Sequence, residues 1–452
     1  MSRRCRPSMR CMSSKPRISK RQSIRSGSIP PARNAVMADW TCNPFTGLLK
    51  AFTEVPLHAG DPDVAIAAAE IPPWRDSDTP IYSSGAGWTQ AEANAACRGE
   101  GIERWITAPL PDDGSLLASR ANWPLDEEAV ATREWVLFSP EQQALPGFPF
   151  ARLDESTECR WVCCREAGRG TPVWVPEEFV YLQPRPGERQ QFCPGLSTGL
   201  SCGLERETGG QPVVLRGLQE VLERDAVVGA WWGVYPLEEW DPAEVTARVG
   251  RECWRRFERP NLRWRFYRVA SPHTDHVTLV SVAGETREGW IIAVGSACRE
   301  TLEASWIKSL LEAVQGRHCV RRLYREWCER DRPAPEYPVQ FLDHALFYSQ
   351  RPDLLPNTVL ERGLTSPRGD LGWKTREGLD DVRERLGSQR VLVRSLTPPG
   401  LRVVDEPWRV VRVLVPGLQP LHGDHRLPFL GGPLWNNRPV TDWRQIPPHP
   451  FA

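Results

Sequence analysis

Apolar positions recur at helical spacing in several stretches of the chain, and two of those stretches end alike. Leu215, Leu218, Val221 and Leu222 line one face of a helix that reaches Glu220, Glu223 and Arg224, follows the small-residue turn Ser197-Thr198-Gly199 and continues into AVVGAWWG. Earlier, the Gly85-Ala86-Gly87 turn leads into an Ala-rich helix from Thr89 to Trp105, with Thr89 as its N-cap and Glu100, Glu103 and Arg104 near its end. A third helix is predicted from about Glu300 to Arg317, on which Ser305, Glu312 and Gln315 fall at spacings of seven and three, close to one face. REGLDDVRERLGSQR, from Arg376 to Arg390, predicts a charged helix stopped at Gly387.

Between these helices the pattern turns to strands. DVAIAAAEIPPW, TPVWVPEEFVYL, WRFYRVA, HVTLVSVAG, GWIIAVGSAC, RVLVRSL and WRVVRVLVPG all have strand composition. Residues 106 to 172 are Pro-interrupted and predict irregular structure. The expected class is therefore α/β, in the mixed α+β sense, with mixed sheets flanked by the motif helices.

Two copies of ExxER in one chain suggest internal duplication. Residues at i and i+3 share a helix face, so each copy sets two carboxylates side by side at a cost of a few tenths of a kcal/mol. One reading is a solvated face on which Arg104 and Arg224 offset Glu100 and Glu220 by i,i+4 pairing. The other is that Glu100, Glu103, Glu220 and Glu223 converge on a hard cation such as magnesium, which prefers oxygen ligands and keeps several waters. The Gly-rich turn before the first helix could bring backbone N–H groups to a phosphate, or be a plain turn.

Composition narrows the setting. Lys plus Arg and Asp plus Glu both number 57, so net charge points to neither nucleic acid nor membrane. No apolar run is long enough to span a bilayer. The 13 cysteines are scattered without a CxxC, which fits reduced thiols in the cytoplasm, and a zinc site at Cys159, Cys163 and Cys164 would lack a fourth ligand. Residues 1–36 are basic, rich in Ser and free of acidic residues; they predict a disordered tail, or translated upstream sequence with Met37 as the true start. Residues 37–452 then form one domain with a Pro-rich tail. Asp343 and His344 have no nucleophile partner in view, so a structural His is expected. His422, Asp424 and His425 read as a turn held by side-chain hydrogen bonds.

The order of these features carries a resemblance. Gly85-Ala86-Gly87 with ExxER, Ser197-Thr198-Gly199 with a second ExxER-Asp, Gly295-Ser296-Ala297, and Ser305 followed by Glu312 and Gln315 are similar to the YcaO family. VPGLQPLHGDHR and the terminal PHPF resemble its azoline-forming branch, the D-proteins of thiazole/oxazole-modified peptide biosynthesis. The resemblance implies an ATP-dependent cyclodehydratase with one ATP cleft, acting on Cys, Ser or Thr of a ribosomal peptide. It implies magnesium at Glu100, Glu103, Glu220 and Glu223, and nucleotide contacts from Arg104, Arg224, Ser305, Glu312, Gln315 and Arg317. It also places the tail, Pro450, Phe451 and Ala452, near the reaction. Implied partners are the precursor peptide, a separate ubiquitin-activating-like protein that binds the leader peptide, a flavin-dependent azoline dehydrogenase and a second copy in a homodimer. Thioamide or amidine formation on the same ATP site, and an idle peptide-binding scaffold, stay open. The chain departs from the family's pattern at Ala86, Ala96 and Arg216, and in ending Pro448-His449-Pro450-Phe451-Ala452.

Overall fold

Each ExxER segment is a helix laid against a strand that precedes it. The computed structural model describes residues 41–42, 48–72, 81–106, 109, 113–185, 187–204, 213–362, 374–398, 408–436, 440 and 442–451. The first motif helix, Gln90–Trp105, is capped by Thr89, whose hydroxyl accepts the Glu92 N–H at 3.3 Å. The strand before it, Ile81–Gly87, is the third of an antiparallel sheet with Phe52–Glu54 and Ala65–Ile71. The predicted Gly-rich turn is thus corrected to the end of a strand, with Gly85 opposite Ala67. Glycine is needed there because a Cβ on Gly85 would stand 2.3 Å from the Cys97 nitrogen and 2.4 Å from the Ala93 oxygen, inside the helix backbone.

The second motif helix, Val213–Trp231, follows the strand Leu200–Gly203 and runs on through Ala226–Ala230 as its apolar pattern predicts. Gly199, at φ +86°, turns the chain into that strand, where a Cβ would meet the Val413 oxygen at 2.2 Å. The strand is the edge of a sheet of seven strands among the described residues, next to Arg409–Leu414, then Leu392–Ser395, then Cys159–Glu166. Cys159–Glu166 stands within that sheet, although the sequence around it reads as irregular. Its alternation is obscured by Arg and Cys at half-buried positions, and its pairing partners Pro172–Pro176 and Leu392–Ser395 fix it instead. Cys159, Cys163 and Cys164 are strand residues with free thiols, burial pushes those of Cys159 and Cys164 up to about 12, and no described group of three could hold a metal.

The third sheet has the order Trp290–Cys298, Val277–Glu285, Arg263–Val269, Leu237–Trp240, all antiparallel. Its residues alternate between two covers. Phe266, Val280, Val282 and Ile291 pack with Trp306, Leu310 and Val314 of the long helix Leu302–Arg330. Tyr267, Val269, Leu279 and Ile292 pack with Ala226, Val227 and Ala230 of the second motif helix. Each fully buried side chain of this size contributes roughly 1.5–3 kcal/mol, so the two helices are held firmly on opposite faces. The long helix continues well past the predicted end at Arg317, since Gly316 lies mid-helix, and stops where Asp331 turns left-handed at φ 43°. Among the described residues no helix is long and apolar enough to cross a membrane.

Candidate active site

Three helices contribute acidic side chains to one neighbourhood. The first motif helix packs across the edge strand Leu200–Gly203, and the Glu103 carboxyl accepts a backbone hydrogen bond from Cys202. Glu220 is bonded in the same way by the Gly199 backbone. Glu223 accepts the Ser296 hydroxyl at 2.6 Å, and the charge of Glu312 on the long helix reaches it. Glu100 accepts the Ser84 N–H at 2.7 Å, while Gln315 donates to the Ser84 hydroxyl at 2.7 Å. Ser84 thereby ties the first motif helix to the long helix.

Cations stand beside these carboxylates without cancelling the effect of burial. Arg104 pairs with Glu100 at 2.5 Å, Arg224 stands 3.7 Å from Glu223, and Lys308 pairs with Glu312 at 3.1 Å. Burial, with Glu220 and Glu100 adding like charge, pushes the Glu103 carboxyl well above its ordinary range. Burial, with the charge of Glu223 adding to it, lifts Glu220 to about 7 in spite of the pull of Arg224 and Arg412. Burial and Glu312 raise Glu223 too. Buried carboxylates crowded at one place favour a hard cation. Magnesium takes one or two carboxylates and fills its shell with water and phosphate oxygens. Among the described residues no group of three side chains stands as a ready metal site.

The structure brings Glu100, Glu103, Arg104, Glu220, Glu223, Arg224, Glu312 and Gln315 together, and leaves two other sequence candidates apart. Ser305 is buried, its hydroxyl accepting the Arg299 N–H and donating to the Thr301 carbonyl, so it serves the helix start. Arg317, 2% exposed, donates to the Ile291 and Gly284 carbonyls and ties the helix to its sheet. The Ser305 hydroxyl and the Arg317 Nη atoms are thus engaged with backbone, and the Arg317 Nε is buried without a hydrogen bond among the described residues. Arg216 bridges Gln219 and Glu300, each at 2.9 Å.

Sequence reasoning assigned no role to Ser84, Ser296 or Arg412. Ser296 lay inside the quoted Gly295-Ser296-Ala297, a signal that was present. Ser84 and Arg412 had none. Arg412 is fully buried, donates to the Phe179 carbonyl at 3.1 Å and sets a positive charge behind Glu220.

The tail reaches the far end of the second motif helix. Pro450 and Phe451 are buried, and Phe451 packs edge-on against Trp231 at 5.8 Å between ring centres. Trp231 stands about 12 Å of helix rise beyond Glu223. Ala452 lies outside the described residues.

With this geometry in view, comparison with known families gives a match over residues 84–419 to the family described as YcaO cyclodehydratase, ATP- and Mg2+-binding. This chain belongs to the YcaO family. The match begins at Ser84 and ends at Gln419, whose N–H is held by Asp225 at 2.8 Å, directly after the second ExxER. As a YcaO protein it binds ATP and Mg2+. Comparison with curated protein sequences finds no match.

Solved structures share the fold. A heterocyclase in complex with substrate and cofactor superposes with a TM-score of 0.62 at 19% identity, covering 91% of this chain and 55% of that one. The chain therefore spans little more than half the length of that heterocyclase. The E. coli microcin synthetase McbBCD complex matches at TM-score 0.57 and 13% identity, over 89% of this chain and 96% of that one. YcaO from Methanopyrus kandleri, bound with AMPPCP and Mg2+, matches at 0.50 and 20%, over 82% and 86%.

Proposed function

We propose that this YcaO protein is an ATP-dependent, azoline-forming cyclodehydratase acting on a ribosomally made precursor peptide. The observation that carries the reading is the convergence of Glu100, Glu103, Glu220, Glu223 and Glu312 at one place, where burial and mutual repulsion raise Glu103, Glu220 and Glu223. Bound there, magnesium would shield the phosphate oxygens and stabilise charge developing on the transferred group. The chain's own residues supply position. Ser84 fixes Glu100 and Gln315 relative to each other, and Ser296 fixes the rotamer of Glu223. Arg104 and Arg224, beside the carboxylates, would face the nucleotide's remaining charge.

In the proposed reaction the Cys, Ser or Thr side chain would lose its proton and close the ring by adding to the preceding amide carbonyl. The former carbonyl oxygen would take the γ-phosphoryl group of ATP, releasing ADP, and would leave as phosphate as the amide nitrogen gives up its proton to form the C=N bond, so that the peptide loses the elements of one water. That the McbBCD protein works in a complex supports partner proteins for this chain, and a partner that presents the leader peptide is part of the proposal. A flavin-dependent dehydrogenase and a homodimer remain part of the proposal. The test is ATP turnover with and without magnesium in the presence of a precursor peptide, followed by mass spectrometry. Loss of one water per modified residue is expected. Turnover with sulfur or nitrogen incorporated instead would mark thioamide or amidine chemistry, and no turnover would mark a scaffold.

A further inference from the structure

Three buried histidines, His344, His422 and His425, gather around a fourth, His449, which belongs to the C-terminal tail. The tail lies in a groove that reads its backbone. Trp231 Nε1 donates to the Pro447 carbonyl at 2.7 Å and the Tyr348 hydroxyl to the Pro448 carbonyl at 2.6 Å. His344 Nδ1 donates to the His449 carbonyl at 2.7 Å, and the two rings stack at 3.8 Å with 8° between planes. His449 Nε2 donates to the His422 carbonyl at 2.9 Å, and its Nδ1 accepts the Phe451 N–H at 3.3 Å. These bonds fix His449 as a neutral ring, since its Nε2 donates and its Nδ1 accepts, and they place the proton of His344 on Nδ1.

Part of the remaining imidazole capacity is unused. Both nitrogens of His422 are buried without a hydrogen bond among the described residues, while His344 and His425 each face one further carbonyl, of Gly423 and Ile446. His422 touches His449, at 4.6 Å between ring centres, along with Trp232 and Phe429. Stranded nitrogens of this kind are rare in folded proteins and call for a reason. The rings do not close on one point, and no described group of three could hold a metal. What they can gain is a proton.

We propose that His344, His422, His425 and His449 form a proton-gated latch: neutral, they hold the tail docked in its groove, and protonated they release it while the rest of the chain stays folded. The groups facing the latch offer little compensation for positive charge. From the helix Phe341–Gln350 these are Tyr348 and Asp343, whose carboxylate caps the Val339 N–H. From the loop after Leu421 comes Asp424, already paired with Arg426 at 2.7 Å. Tyr337 stacks on His425 at 6.1 Å, and Trp443, which carries Arg444 on its face, meets the same ring at 5.3 Å. The carbonyls of Gly423 and Ile446 favour a proton on His344 and His425, but burial outweighs them.

The sign follows from burial. Desolvation holds His344 and His425 down to about 4, and holds His422 and His449 well below 6.5, with the neighbouring histidines adding repulsion. In water the rings return to about 6.5. Docking is therefore fully favoured above that value and is lost as pH falls toward about 4, by a factor of ten per pH unit for each histidine that charges on release. Several rings acting together make the loss steeper than one proton allows.

The experiment is carboxypeptidase Y digestion of the intact chain from about pH 7.5 to about pH 4.5, normalised to the free peptide IPPHPFA at each pH. Mass spectrometry reads loss of Ala452 and Phe451, and near-UV circular dichroism reports the fold. The expected result is trimming faster at the acid end by well over the 100-fold or so that one charging histidine gives between about pH 6.5 and about pH 4.5, with more than one proton in the slope and the near-UV signal retained. His422→Leu should shift release to lower pH with a shallower slope. Tyr348→Phe, which removes only a bond to the tail, should raise trimming at neutral pH. Protection that persists at low pH in a folded chain would overturn the latch. So would trimming that rises only as the near-UV signal collapses, or a slope of one proton that His422→Leu leaves unchanged.

Discussion

Replacing Glu220 by Gln tests the carboxylate cluster through stability as well as activity. Burial and the Glu223 charge raise its carboxyl from 4.5 to about 7 in the folded chain. A group whose folded pKa is raised holds its proton more tightly when folded. Its contribution is therefore lost as pH rises from 4.5 to about 7 and is flat above that. The span corresponds to about 3 kcal/mol carried as a penalty by the metal-free chain at pH 8. Glu220→Gln removes the charge and keeps the shape. Without magnesium, at about pH 8, the variant should melt several degrees above wild type, with the gap closing toward about pH 5. Magnesium and ATP should stabilise wild type much more than the variant, and ATP turnover should fall well over tenfold. Thermal melts with chelator, then with magnesium and ATP, give both readouts. A variant that is less stable than wild type at pH 8, or one with wild-type turnover, would return Glu220 to a solvated salt-bridge face.

Three further outcomes follow from other parts of the chain. Gly85→Ala should cost about 3 kcal/mol in chemical denaturation, because the new methyl would overlap the backbone at Ala93 and Cys97. A chain starting at Met37 should keep its melting temperature and ATP turnover; loss of either would assign the basic segment a docking role. Residues added after Ala452 should depress cyclisation strongly while leaving ATP binding within a few-fold, measured by mass spectrometry and calorimetry. A harmless C-terminal tag would remove the terminal carboxylate from the reaction.

Much of the architecture was legible from local signals. Helices with a strong apolar face announced themselves, as did Thr89 as a cap, because periodicity and capping act within a few residues. ExxER was visible for the same reason: two carboxylates at i and i+3 are a local fact. What local pattern could not supply is which turns are turns. Gly85-Ala86-Gly87 has turn composition, yet it is a strand whose glycines admit the backbone of a helix packed on top. Cys159–Glu166 has no clean alternation, yet two distant segments pair with it and make it a sheet strand.

The same division holds at the site. Sequence by itself determined the carboxylates, their helices and the family. Only tertiary structure decided which helix faces meet, and so separated Gln315, joined to Ser84 across the fold, from Ser305 and Arg317, whose groups close bonds to backbone. It also gathered His344, His422, His425 and His449 from three segments scattered along the chain. The physical reason is that charge repulsion, desolvation and hydrogen-bond satisfaction depend on distance in space, and sequence spacing reports distance only within a single element.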